Sequence, residues 1–248
     1  MSEGSDIGQR LARIRRRIDE ACGRAGRDPA EVTLVGVSKL QPLERLLEAF
    51  EAGLRVFGEN RVQEAEAKRP HLPAEADFHL IGPLQTNKAK KAVEIFSTVH
   101  SVDRLKIARH LDREATVRAE PLPCFLEVNL GAEESKHGFS PTGLLAALDE
   151  LAALEHLRVV GLMAIPPQEP PANAPASASG DDAEVARSWF RRLVALRDQV
   201  VATPGWSGAR ALSMGMSDDF EVAIEEGATH VRVGTALFGP RPAPGATP

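Results

Sequence analysis

The stretch VTLVGVSK, residues 32–39, decides the fold. Its apolar run is dominated by β-branched residues and stops at Ser38-Lys39, before the turn residues Gln41-Pro42. Such a short run reads as a buried core strand. Lys39 therefore arrives at the end of a core strand. A lysine leaving the core for solvent is one reading, because strand ends are where charges normally sit. The other is an amine with a task at the mouth of a barrel.

Working outward, short apolar runs alternate with helical patterns. Strands are expected over 32–38, 56–58, 78–82, 98–102, 124–129, 159–165, 211–214 and 230–233. Helices are expected over 6–25, 43–52, 60–68, 85–95, 103–117, 141–154, 183–201 and 219–225. The first has Ile7, Leu11, Ile14, Ile18, Ala21 and Cys22 at helical spacing and Gly26 as its stop. Eight strands, each after the first preceded by a helix, predict a parallel sheet with crossovers. The count favours a single closed (β/α)8 TIM barrel spanning 1–248 over an open doubly wound sheet, which stays open as an alternative. The segment 166–182, PPQEPPANAPASASGDD, has no apolar periodicity and reads as a mobile loop, with a lid as the alternative.

Composition narrows the function. The chain has 248 residues, 43% hydrophobic and 26% charged, enough for one large core. A net charge of −5 argues against nucleic acid as the main partner. Cys22 and Cys124 lack metal or disulfide spacing and fit reduced thiols in a cytoplasmic protein. No apolar run reaches the roughly 20 residues that span a bilayer. Tyrosine is absent, which excludes a phenolic acid or base from this chain.

In (β/α)8 proteins the working groups lie where strands end. Lys39 ends the first strand, where an amine can form a Schiff base with an aldehyde cofactor. After strands seven and eight come Ser213-Met214-Gly215 and Gly234-Thr235-Ala236, small residues that let backbone N–H groups approach a phosphate. Each is alternatively just a tight turn. Arg232 alternates with Val231 and Val233 and so faces the other way. It would meet either a cofactor's pyridine nitrogen or a structural partner, Glu127 or Asp103. His79 reads as a hydrogen-bonded core histidine, and no histidine spacing supports a metal site. Asp218-Asp219 reads as the N-terminal cap of the helix at 219–225.

The motifs VGVSKLQP, FGENRVQE, HLIGPLQTNK, HSVD, EVNLGAEESKHGF, GLMAIPP and LSMGMSDDFEVAIEEGATHVRVGTALFG together resemble the pyridoxal phosphate homeostasis protein family. They run from about residue 32 to 241. The resemblance implies a single barrel like the alanine racemase N-terminal domain, carrying pyridoxal 5′-phosphate as an imine on Lys39. It implies Asn60 beside the cofactor, with Ser213, the backbone around Met214, and Gly234-Thr235 on the phosphate. It places Arg232 at the pyridine nitrogen.

Two functions follow from different classes. One is a non-catalytic, cytoplasmic, monomeric carrier that buffers the cofactor or delivers it to apoenzymes that depend on it. The other is a pyridoxal phosphate-dependent amino-acid racemase. Racemisation on two faces needs a second base, a tyrosine in alanine racemase, and this sequence holds none and ends soon after the eighth strand. A phosphate-binding barrel enzyme using Lys39 differently is the third reading.

Overall fold

The computed structural model describes residues 6–133, 137–167, 169–171 and 181–240. The strands are β1 (Thr33–Val37), β2 (Val56–Glu59), β3 (Asp77–Leu80), β4 (Thr98–Val102), β5 (Leu122–Glu127), β6 (Leu157–Met163), β7 (Ala211–Ser213) and β8 (His230–Val233). They close into a barrel in chain order. Parallel pairing of β1 with β8, from Thr33 opposite His230 to Gly36 opposite Val233, removes the open-sheet alternative.

The helices are α1 (Asp6–Ala25), α2 (Leu43–Glu51), α3 (Val62–Lys68), α4 (Ala89–Ile95), α5 (Leu105–Ala115), α6 (Pro141–Ala146), α7 (Leu148–Ala152), α8 (Asp182–Ala202), α9 (Phe220–Glu225) and α10 (Thr235–Phe238). In α1 the buried residues are Ile7, Leu11, Ile14, Ile18, Ala21 and Cys22, the stripe expected from spacing. Each large apolar side chain there contributes roughly 1.5–3 kcal/mol when fully buried. The stripe lies against α9 and α10. Arg17 clamps the same seam with a two-pronged bond to Glu221, at 2.6 and 2.9 Å.

Several expected elements differ from the observed ones at their ends. β5 and β6 each lie two residues before the ranges expected, and α5 is shorter at both ends. Other helices divide or start late. The helix expected over 141–154 divides into α6 and α7 at Ala147. The helix expected over 85–95 opens with a 3-10 turn at Thr86–Lys88 before α4. The helix expected over 60–68 starts only at Val62, leaving Asn60 and Arg61 in the loop after β2. That loop is held against Gly82, where a Cβ would lie 2.5 Å from the Asn60 carbonyl oxygen.

Much of the segment expected to be mobile, at 168 and 172–180, lies outside the described residues. Its described flank is anchored, with Trp189 Nε1 donating to the Glu169 carbonyl at 2.8 Å. Among the described residues, no helix is long and apolar enough to cross a membrane.

Candidate functional site

The site is built on the C-terminal ends of the strands, beginning with the segment that carries Lys39. Ser38 is fully buried and donates its hydroxyl to Glu59 Oε1 at 2.6 Å. Lys68 Nζ reaches the same carboxylate oxygen at 2.7 Å and the Ser38 carbonyl at 2.8 Å. Burial pushes the Glu59 carboxyl up, while Lys68 and Ser38 pull it back. Beyond Lys39 the chain turns through Leu40, a residue with positive φ (59°) whose N–H donates to Glu64 Oε2 at 3.0 Å. Left-handed backbone at a non-glycine residue costs about 1–3 kcal/mol and needs such bracing. Lys39 is thus fixed on both sides by α3 and β2.

Lys39 does not simply leave the core for bulk water. It lines a cavity of about 180 Å³ together with Arg232, Gly234 and Thr235. Four of the seven expected site residues are therefore gathered in one place. Gln41, Met216, Ser217 and Asp218 join them on the walls. The turn that brings Met216 in needs Gly215, whose φ is +91° and whose added Cβ would lie 2.5 Å from Ala223 Cβ. Ser217 ties this turn to the one after β8, its hydroxyl accepting from Ala236 N at 3.3 Å.

Arg232 is 4% exposed. The expected alternation holds, for Arg232 reaches into the barrel while Val231 and Val233 pack toward the helices. Its Nη1 donates to Ser213 Oγ at 2.6 Å and its Nη2 to the Ala164 carbonyl at 3.0 Å. Both acceptors are neutral. The alternative ion pair with Glu127 or Asp103 does not form. Asp103 instead pairs with Arg104 and lies 3.3 Å from His137 Nδ1. Burial brings the Arg232 guanidinium down to about 10, against the attraction of Asp219 and Glu127. Glu127 ends β5 with Oε2 unbonded among the described residues. Burial, then the neighbouring Asp103, pushes its carboxyl up to about 7.

The other three expected residues lie elsewhere. Ser213 and Met214 are fully buried below the cavity. The Ser213 hydroxyl is engaged by Arg232 and by His100 Nδ1, at 2.8 Å. Asn60 lines a separate cavity of about 800 Å³ with Arg61, Gln85, Lys88, Arg104 and His137. Asp219 occupies the N-cap of α9, but its side chain does not cap the helix. Oδ1 accepts from Met216 N at 2.6 Å and so shapes the cavity turn instead.

A buried guanidinium bonded only to neutral groups, set beside a strand-end lysine, makes a receptacle for an electron-rich or anionic ligand. Residues 10–242 match the family described as the alanine racemase N-terminal domain. The chain is 45% identical over 238 residues to the pyridoxal phosphate homeostasis protein of Pseudomonas aeruginosa, covering 96% of each. It is 41% identical over 245 residues to that of Escherichia coli strain K12, covering 96% of this chain and 97% of the relative. The chain belongs to the pyridoxal phosphate homeostasis protein family. PipY of Synechococcus elongatus PCC7942, solved with PLP bound, is 37% identical with a TM-score of 0.77, over 94% of this chain and all (100%) of that one. Alanine racemase of Clostridium difficile 630 matches with a TM-score of 0.62 at 14% identity, over 96% of this chain and 57% of that one, a likeness of fold alone.

In this member of the pyridoxal phosphate homeostasis family, Ser217 lines the cavity although the strand-end pattern assigns it no role. It stands four residues after Ser213 in the same SMGMS loop. The cavity is walled by this loop beyond the strand end. His79 does pair as a core histidine, its Nδ1 2.9 Å from His100 Nε2. What the sequence did not signal is that His100 and His230 join it inside the barrel, ring to ring with Phe125.

Proposed function

We propose that this protein holds pyridoxal 5′-phosphate as a Schiff base on Lys39 and serves as a non-catalytic carrier, buffering the cofactor or handing it to apoenzymes in the cytoplasm. Bound there, the cofactor supplies an aldehyde that condenses with amines and a ring able to withdraw electrons. The carrying observation is Arg232: a buried cation with no carboxylate partner among the described residues, facing the cavity that Lys39 also lines. Leaving such a charge buried costs several kcal/mol unless something answers it. A pyridine nitrogen is an acceptor that answers it. Gly234 and Thr235, on the wall of the same cavity, suit the phosphate. Met214 and Ser213 would act from beneath, Ser213 by holding Arg232, and Asn60 from the neighbouring cavity.

The carrier reading is favoured over a racemase by the same arginine. A guanidinium at the ring nitrogen keeps it unprotonated and weakens the ring as an electron sink. The chain also contains no tyrosine to serve as an opposing base. Two buried free thiols, Cys22 and Cys124, fit a reducing compartment. Burial pushes Cys124 up to about 12, so it stays a thiol.

The test is the visible absorbance of the purified protein with pyridoxal phosphate, before and after borohydride reduction, followed by peptide mapping. An imine band fixed by reduction onto Lys39, and lost in Lys39→Ala with the fold retained, is expected. A reduced label on any other lysine, or no band at all, overturns the assignment.

A further inference from the structure

Behind Arg232 the barrel interior carries a chain of polar contacts, hydrogen-bonded as far as His79 and ending in a charged contact with Asp77. Arg232 Nη1 lies 2.6 Å from Ser213 Oγ, and Ser213 Oγ lies 2.8 Å from His100 Nδ1. His100 Nε2 lies 2.9 Å from His79 Nδ1, and His79 Nε2 lies 3.3 Å from Asp77 Oδ2. The members come from β8, β7, β4 and β3, so the chain crosses the barrel instead of following a strand. The four inner members are buried, while the Asp77 side chain, at the opposite end of the strands from Lys39, is 41% exposed.

The two ends of this chain together set the direction of its links, since the Asp77 carboxylate only accepts and the Arg232 guanidinium only donates. With one proton on each imidazole, His79 gives its Nε2–H to Asp77 and accepts at Nδ1 from His100 Nε2–H. His100 Nδ1 then takes the Ser213 proton, while Ser213 Oγ accepts from Arg232. Each dipole presents its negative end toward Arg232, and the last group is an anion. Links ordered in one direction polarise and strengthen one another.

We propose that His100, His79 and Asp77 are positioning residues that act through Ser213 as a relayed counterion for Arg232. The proposal rests on reading the cavity as the pyridoxal phosphate site. A carboxylate placed directly on Arg232 would hold it equally well but would neutralise the charge that the cavity offers. The relay supports the guanidinium from behind, while Asp219 and Glu127 attract it without bonding to it. It also gives a reason for the imidazoles of His100 and His79 in the barrel interior.

Two measurements test it. Nitrogen-15 NMR of histidine-labelled protein without added pyridoxal phosphate reads the tautomers directly. His100 and His79 are expected to be protonated at Nε2, and Ser213→Ala is expected to shift the His100 Nδ1 resonance to that of an unbonded nitrogen. A His100 protonated at Nδ1 overturns the proposal. The second is the dissociation constant for pyridoxal phosphate in His100→Phe and in Asp77→Asn. The first keeps a ring against Phe125, and the second removes a charge at a part-exposed site while keeping an acceptor. His100→Phe is expected to weaken binding roughly tenfold, the scale of one charge-assisted hydrogen bond, and Asp77→Asn about threefold. In an Arg232→Ala background neither change should weaken binding further, because both act through Arg232. Losses that add in that background, or no loss from either variant, overturn it. If the unmodified protein fails to bind pyridoxal phosphate, the functional reading falls and the tautomers alone decide the chain.

Discussion

Replacing Glu127 by glutamine should stabilise the protein, and by an amount that depends on pH. Glu127 Oε2 has no partner among the described residues, and burial followed by Asp103 raises its carboxyl from 4.5 to about 7. A shift of that size corresponds to roughly 3 kcal/mol held against the charged form. Between those two values the folded state binds more protons than the unfolded chain, so this group's contribution falls as pH rises through the window. At pH 7 nearly the whole penalty of about 3 kcal/mol is present, and at pH 5 only about 1 kcal/mol remains. His230 works in the opposite sense. Burial, then His79 and Arg232, bring it from 6.5 to about 3, so its contribution is lost as pH falls through that range. Its loss between pH 7 and pH 5 is about 2 kcal/mol, close to what Glu127 returns. The unmodified protein should therefore show a shallow pH dependence from this pair. Glu127→Gln should expose the histidine and steepen acid sensitivity by about 2 kcal/mol over that interval. Equilibrium denaturation at the two pH values measures this directly. Equal stabilisation by Glu127→Gln at both would show that no strained carboxylate is buried there.

Other consequences follow from the bracing of the mouth. Lys68→Met leaves the Glu59 carboxylate buried beside Ser38 without its cation, which should destabilise by about 3–5 kcal/mol, read by denaturant midpoint. Adding Glu59→Gln should recover much of that loss, and a double variant no better than Lys68→Met would remove the pair from the argument. Gly215→Ala forces a side chain into positive φ and against Ala223, and should cost more than about 1 kcal/mol. It should also weaken cofactor retention, since the same turn carries Met216 and Ser217 onto the cavity wall. In native protein, Cys22 and Cys124 should resist thiol reagents until unfolding, because both are fully buried and burial raises both thiols.

The architecture was legible because its signals are local. The run at 32–39 and its seven counterparts are short, apolar and separated by helical spacing, and α1 kept its expected boundaries because its apolar stripe ends at Gly26. The departures arose where nothing in the sequence punctuates the change. No glycine or proline marks the division between α6 and α7 at Ala147. At the late start of α3, the Asn60 backbone lies so close to Gly82, on another strand's exit, that a Cβ there would clash with it. Contacts of that kind belong to tertiary structure and leave no periodic trace.

The site divides along the same line. Lys39, Arg232, Gly234 and Thr235 could be picked out because strand ends in a barrel converge, so position along a strand predicts position in space. Alternation told that Arg232 faces inward, but it could not say what it meets there. The sequence offered two carboxylates as partners, Glu127 and Asp103, since a buried guanidinium ordinarily takes one. The structure gives it a hydroxyl and a carbonyl, with the anion withdrawn to Asp77 behind two imidazoles. The residues of that relay lie on four different strands and share only an inward register, so no spacing motif could reveal them. A barrel core that needed only to pack would have been filled by apolar side chains. His100 and His79 instead form a polar path from Ser213 toward Asp77, and the proposed relay gives that path a task, to support the charge of Arg232 on the side away from the cavity.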